Sequence, residues 1–131
     1  MNAIKFIQQH GIDKAREVVD GQKDTVAPNL FKYFSPSLND YHMINIESNV
    51  RISELKRLVE SVDLIIKLGG IEVAKEKLTY GNSISAMRLS YETTITGRDG
   101  TKQNVITGVY LEDLEQAIAD YEAIYSGEQH V

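Results

Sequence analysis

Asp40-Tyr41-His42 is a compact pairing of an acid with a histidine, the arrangement in which an imidazole acts as general base and a carboxylate orients it. The residues 59 places further on are Asp99, Gly100 and Thr101, so the histidine has no counterpart there. His10, at the seam of two predicted helices, is matched in the same way by Gly69. Neither histidine shows helical ligand spacing with the other or with His130. The chain has no cysteine, which excludes disulfides, thiolate catalysis and zinc sites of the Cys type. No HExxH, GxSxG, P-loop, dinucleotide or EF-hand pattern is present. Gly69-Gly70 lacks the lysine and hydroxyl residue of a phosphate loop and reads as a helix stop. The carboxylate pairs Glu112/Asp113 and Glu72/Glu76 fall on exposed helix faces, without the desolvation that raises a pKa for acid catalysis. The expectation is a non-enzyme with no catalytic residues, no metal and no cofactor.

Binding is the better-supported chemistry. Asn29–Phe34 and Tyr41–Glu47 are aromatic and β-branched runs on either side of a Ser/Pro/Asn/Asp cluster, which predicts a hairpin. It is apolar on both faces: Phe31 and Tyr33 oppose Leu30 and Phe34, and Ile44 and Ile46 share a face of the second strand. Such a hairpin is covered on both sides either by its own chain or by a partner. Phe31, Tyr33, Ile44 and Ile46 are the candidate contact residues, for a partner protein or a second copy of the chain. Charge supplies a second candidate surface. Residues 1–110 carry 14 basic and 13 acidic side chains, whereas residues 111–131 carry six acids and no base. Glu112, Asp113 and Glu115 open the last predicted helix and suit a basic partner. The alternative is a solvated face whose first acids complement the helix dipole. The net charge of −5 weighs against binding to a phosphate backbone. A nucleic-acid binder that touches phosphates with Lys32, Arg88, Arg98 and Lys102 is the competing function.

The elements that position these residues follow from periodicity. Ile4, Phe6 and Ile7 predict a helix from about Asn2 to Gln9, stopped by Gly11. Ile12, Ala15 and Val18/Val19 mark a short second helix with Asp13 as its cap, and residues 20–28 read as a loop. Ser53 is the expected N-cap of a long helix with Leu55, Leu58, Val59, Val62, Ile65 and Ile66 on one face, and Leu64 and Leu68 on the other. A short helix from Ile71 to Leu78 follows the glycine break, with Tyr80-Gly81-Asn82-Ser83 as a turn. Met87, Leu89, Tyr91, Thr93 and Ile95 alternate with polar residues, as in a half-buried strand. A tight Asp99-Gly100 turn then sets Leu89 opposite Tyr110, Thr93 opposite Ile106 and Tyr91 opposite Gly108. The final helix begins near Leu111 and ends at Ser126-Gly127, leaving Glu128–Val131 as a frayed tail.

The offset of 59 runs through the whole chain. Ile12, Ala15, Glu17, Asp40, Asn45, Val50 and Leu55 recur as Ile71, Ala74, Glu76, Asp99, Asn104, Val109 and Leu114, among about twelve identities in roughly seventy ungapped pairs. This predicts a tandem repeat, about residues 4–65 and 63–124, within a single α+β domain spanning 1–131. The two pseudo-equivalent units are each helix–helix–β-hairpin–helix, and they share the central helix.

Three pieces, Phe6–Val19, Ser53–Ser61 and Leu68–Leu78, resemble small accessory proteins from the early regions of lambda-like bacteriophages. The resemblance implies a host-cytoplasmic protein that acts on bacterial machinery by binding, and it transfers no catalytic residue. The chain shows no apolar run of membrane-spanning length and no signal-peptide pattern, so a soluble cytoplasmic protein is expected.

Overall fold

The computed structural model describes residues 1–126. Among them the chain forms a mixed α+β fold of five helices and two small antiparallel sheets. It divides into two compact units: Met1–Glu60 together with the chain from Glu122, and Ser61–Tyr121.

In the first unit, α1 (Ala3–His10) starts at Asn2, whose Oδ1 accepts the Lys5 N–H at 2.8 Å. It stops at Gly11, whose backbone (φ +90°, ψ 159°) is a conformation essentially reserved for glycine. The next helix, α2 (Ile12–Gln22), starts at once. Gly11 occupies its N-cap position and no side chain caps it. Asp13, expected as the cap, instead lies in the first turn, where its charge complements the helix dipole. The helix also runs through Gly21, into the stretch expected to be loop. A side chain at Gly21 would strike the Tyr41 hydroxyl, which donates to the Val18 carbonyl at 2.6 Å.

The first sheet has three short strands, β1 (Tyr33–Ser35), β2 (Asp40–His42) and β3 (Val50–Arg51), in the order β2-β1-β3. The expected hairpin is therefore much reduced: residues 29–32 and 43–47 lie outside the strands. Asn49 explains the second loss. Its backbone N–H donates to the Ile46 carbonyl (2.9 Å) and its side-chain amide to that of Ile44 (3.1 Å), folding the segment onto itself. Phe34 is buried, edge-on to Phe6 (6.0 Å between centroids) and to Tyr41 (5.4 Å).

The long helix α3 (Ile52–Leu68) continues directly from β3, with the Ile52 N–H donating to the Lys32 carbonyl at 3.0 Å. Ser53, expected as its cap, is consequently inside the first turn. Leu55, Leu58, Val59, Val62 and Ile65 are buried as their spacing predicts, and Leu68 is buried too. Ile66 departs from the expected face and is 62% exposed. The helix belongs to the first unit through Glu60 and to the second from Ser61.

In the second unit the Gly70 N–H returns to the Ile65 carbonyl at 2.9 Å, and α4 (Ile71–Ser83) begins at once. Gly70 has φ +111° and ψ 173°, close to the backbone of Gly11, 59 residues earlier. After each of these glycines the alanine N–H four residues on, Ala15 or Ala74, donates to the glycine carbonyl. The helix passes Leu78, so Tyr80–Ser83 is its final turn and not a loop. Gly81 is packed beneath Leu111, whose Cδ2 would lie 2.7 Å from an added Cβ.

The second sheet is a ribbon of β4 (Arg88–Thr96) and β5 (Lys102–Tyr110). Its turn differs from the two-residue one expected. The Gly100 N–H donates to Gly97 at 3.0 Å, Gly100 has φ +82°, and the Gly97 N–H donates to Thr101 at 2.8 Å. That is a three-residue loop with glycine in the left-handed position. It moves the register by one residue, so Leu89 faces Val109, Tyr91 faces Thr107 and Thr93 faces Val105. Gly108 faces Ser90 and is covered by the Arg88 guanidinium, which stacks on Tyr110 at 5.3 Å, and not by Tyr91.

The last helix, α5 (Leu111–Tyr125), opens with the Leu111 N–H donating to the Met87 carbonyl at 2.9 Å. Ile65, Leu68, Ala74, Val109, Leu114, Ala117 and Ile118 form the core of the second unit. Gly127, the expected tail Glu128–Val131 and its His130 lie outside the described residues.

Candidate functional site

The four apolar contact candidates separate in the structure. Tyr33 is half-buried in β1, where it pairs with His42 and Arg51 and carries the Arg51 guanidinium over its ring at 5.6 Å. Phe31 is half-buried outside the strands, and its carbonyl accepts from the Gln22 side chain at 3.0 Å. Ile44 and Ile46 occupy the folded segment after β2 and are 59% and 49% exposed. The one-strand face on which the sequence set them therefore does not exist, because Asn49 turns that segment out of the sheet. What remains is an apolar projection. Met43 joins Ile44 and Ile46, and all three are exposed within four consecutive residues. Asn49 holds the backbone beneath them and is itself buried.

The acidic candidates Glu112, Asp113 and Glu115 are exposed at the start of α5. Asp120 does not share their solvated face. It is 4% exposed, and its two oxygens accept from Ser61 (2.8 Å) and Gln116 (2.9 Å). The helical stripe of Leu114, Ala117 and Ile124 passes through position 120, which is a sequence signal for its burial.

Asp40 and His42 do not form a base-and-orienter pair. The Asp40 carboxylate accepts the Tyr41 backbone N–H at 2.8 Å, and no hydrogen bond joins it to His42 among the described residues. Tyr41 is the perturbed group at this place. Burial raises the pKa of its hydroxyl, and the charges of Glu17, Asp24, Asp20 and Asp40 raise it further. His10 stacks on Phe6 at 4.8 Å.

The four cations assigned to phosphate contact divide between the units. Lys32 belongs to the first, and Arg88, Arg98 and Lys102 belong to the ribbon of the second. Among the described residues there is no cluster of His, Asp and Glu with metal-holding geometry, and no helix is long and apolar enough to cross a membrane. Compared with protein-family models, with curated proteins and with solved structures, the chain matches none.

Proposed function

We propose that this chain is a non-enzymatic, protein-binding accessory protein, encoded by a lambda-like phage, that modulates or inhibits a protein of its bacterial host in the cytoplasm. The observation that carries the reading is the projection Met43-Ile44-Asn45-Ile46. Scattered exposed apolar residues are ordinary, whereas consecutive ones on a fixed backbone mark contact surfaces. The backbone is held by Asn49 before any partner arrives, which lowers the ordering cost of association. Glu112, Asp113 and Glu115 offer a separate acidic surface for a basic partner.

The tandem-repeat organisation belongs to the same proposal. It is supported by the matched conformations of Gly11 and Gly70 and by burial at both members of Phe6/Ile65, Ala15/Ala74, Val50/Val109 and Leu55/Leu114. The shortened first sheet is where the two copies differ in task.

The test is capture of a stoichiometric partner from host lysate by the wild-type chain and by an Ile44→Asp/Ile46→Asp variant of unchanged circular dichroism. The reading expects one partner, at least tenfold depleted with the variant, since two buried apolar anchors contribute more than about 1.4 kcal/mol. Equal capture by both chains removes the assigned surface. Turnover of a small substrate without any partner removes the function.

A further inference from the structure

The first unit contains a groove of 690 Å³ that the reading above does not use. Its walls come from the end of α2, the segment leading into β1, and the β3–α3 junction. Lys23, Lys32, Arg51 and Lys56 line it, against a single acid, Asp20. This concentration of positive charge stands out in a chain whose net charge is −5. None of the four cations forms an ion pair among the described residues. Arg51 is nevertheless held in place, by the Tyr33 ring beneath it and by donation to the Tyr33 hydroxyl at 3.3 Å. Four like charges around one concavity repel one another, and an anion between them relieves that repulsion where the low-dielectric walls strengthen its attraction. The rest of the lining is of a different kind. Val19, Pro28 and the Tyr33 ring give apolar surface beside the charges.

We propose that this groove binds a small organic phosphate of the nucleotide class. The phosphates lie among Lys23, Lys32, Arg51 and Lys56, and the organic part rests on the apolar lining. Three observations select this chemistry. The volume lies within the range that encloses one small ligand. A single short dense anion matches cations drawn from three segments better than a carboxylate does, because guanidinium and ammonium groups can share its several oxygens. The acidic balance of the whole chain opposes a long polyanion but leaves a local one unhindered. The site does not depend on the protein-binding reading.

The experiment is calorimetric titration of the full chain at low salt with three probes: adenosine triphosphate, inorganic triphosphate and a single-stranded oligonucleotide. The expected result is one site per chain, adenosine triphosphate binding more tightly than inorganic triphosphate, and the oligonucleotide weaker than both. Lys32→Gln and Lys56→Gln should each weaken nucleotide binding about tenfold, the effect of losing one charge-assisted contact. Lys102→Gln, in the other unit, should leave it unchanged. Matching circular dichroism and thermal midpoints keep any loss from being a folding defect. Absence of heat with all three probes at millimolar concentration overturns the proposal. So does equal binding by the Lys32→Gln, Lys56→Gln and wild-type chains. Tighter binding of the oligonucleotide replaces the small ligand with a nucleic acid.

Discussion

Tyr41 shows how one side chain couples packing to proton binding. Its ring stands edge-on to Phe34, its hydroxyl donates to Val18, and its approach to α2 requires that residue 21 have no side chain. The folded pKa lies above the ordinary tyrosine value, so the native state holds this proton more tightly than the unfolded chain. The stability it contributes is complete below the unfolded pKa and is lost as pH rises through the folded one. Urea unfolding followed from about pH 9 to about pH 11 should therefore show declining stability, with the Tyr41 part of that decline missing in Tyr41→Phe. At neutral pH the same substitution should cost about 1 kcal/mol for the lost hydrogen bond. An unchanged alkaline slope would show that other groups carry it. None of this was legible in Asp40-Tyr41-His42 as a string. The pattern drew attention to the histidine, whereas most of the groups that perturb the tyrosine (Glu17 and Asp20 of α2, and Asp24 just after it) lie more than fifteen residues away by sequence.

Among the elements, the helices were the most readable, because an apolar stripe and a glycine are local signals. The positions of α1, the two glycine stops and, apart from Ile66 and Leu68, the apolar face of α3 follow from spacing alone. Errors fell where a distant contact sets the boundary. The end of α4 is held by Leu111 over Gly81, and the start of α3 is held by Lys32, so neither Ser53 nor the Tyr80–Ser83 stretch marks a terminus. In the ribbon, Asp99-Gly100 signalled a turn but not its length, and one residue of loop moved every pair. The two glycine stops give an element-scale prediction. Alanine at Gly11 or at Gly70 must adopt a backbone that side chains rarely reach, so each substitution should cost about 1–3 kcal/mol, while neither added Cβ meets another atom. Similar losses for the two variants in thermal or urea unfolding are expected. Near-zero cost at either site would mean that its helix junction re-forms in another way.

At the scale of the whole molecule, the two compact units are set by contacts, and the offset of 59 read in the sequence does not indicate which residues complete each of them. The candidate site was legible only as a list of apolar residues. Asn49, which decides where Ile44 and Ile46 lie, acts through hydrogen bonds that periodicity does not record. The groove of the first unit was harder still, because Lys23, Lys32, Arg51 and Lys56 share no spacing. Completion of the first unit leads to the last prediction. Ile124 is fully buried, and the Gln8 side chain donates to the carbonyls of Ala123 (3.3 Å) and Ile124 (3.1 Å). Replacing Ile124 with alanine should cost about 2–5 kcal/mol, as for other large-to-small core changes, read as a lowered urea midpoint. A cost below about 1 kcal/mol would mean that the last turn of α5 is dispensable.

The same arrangement bears on the order of synthesis. The second unit is one unbroken stretch of chain, whereas the first combines Met1–Glu60 with residues from Glu122 on, which follow the second. A ribosome emits α1 and the first sheet well before the turn that carries Ile124. The unit begun first therefore waits, its core unsealed, until the residues of the second have been made. Domains ordinarily fold from the N-terminus as they emerge. Here the later-made unit has its full complement of residues sooner.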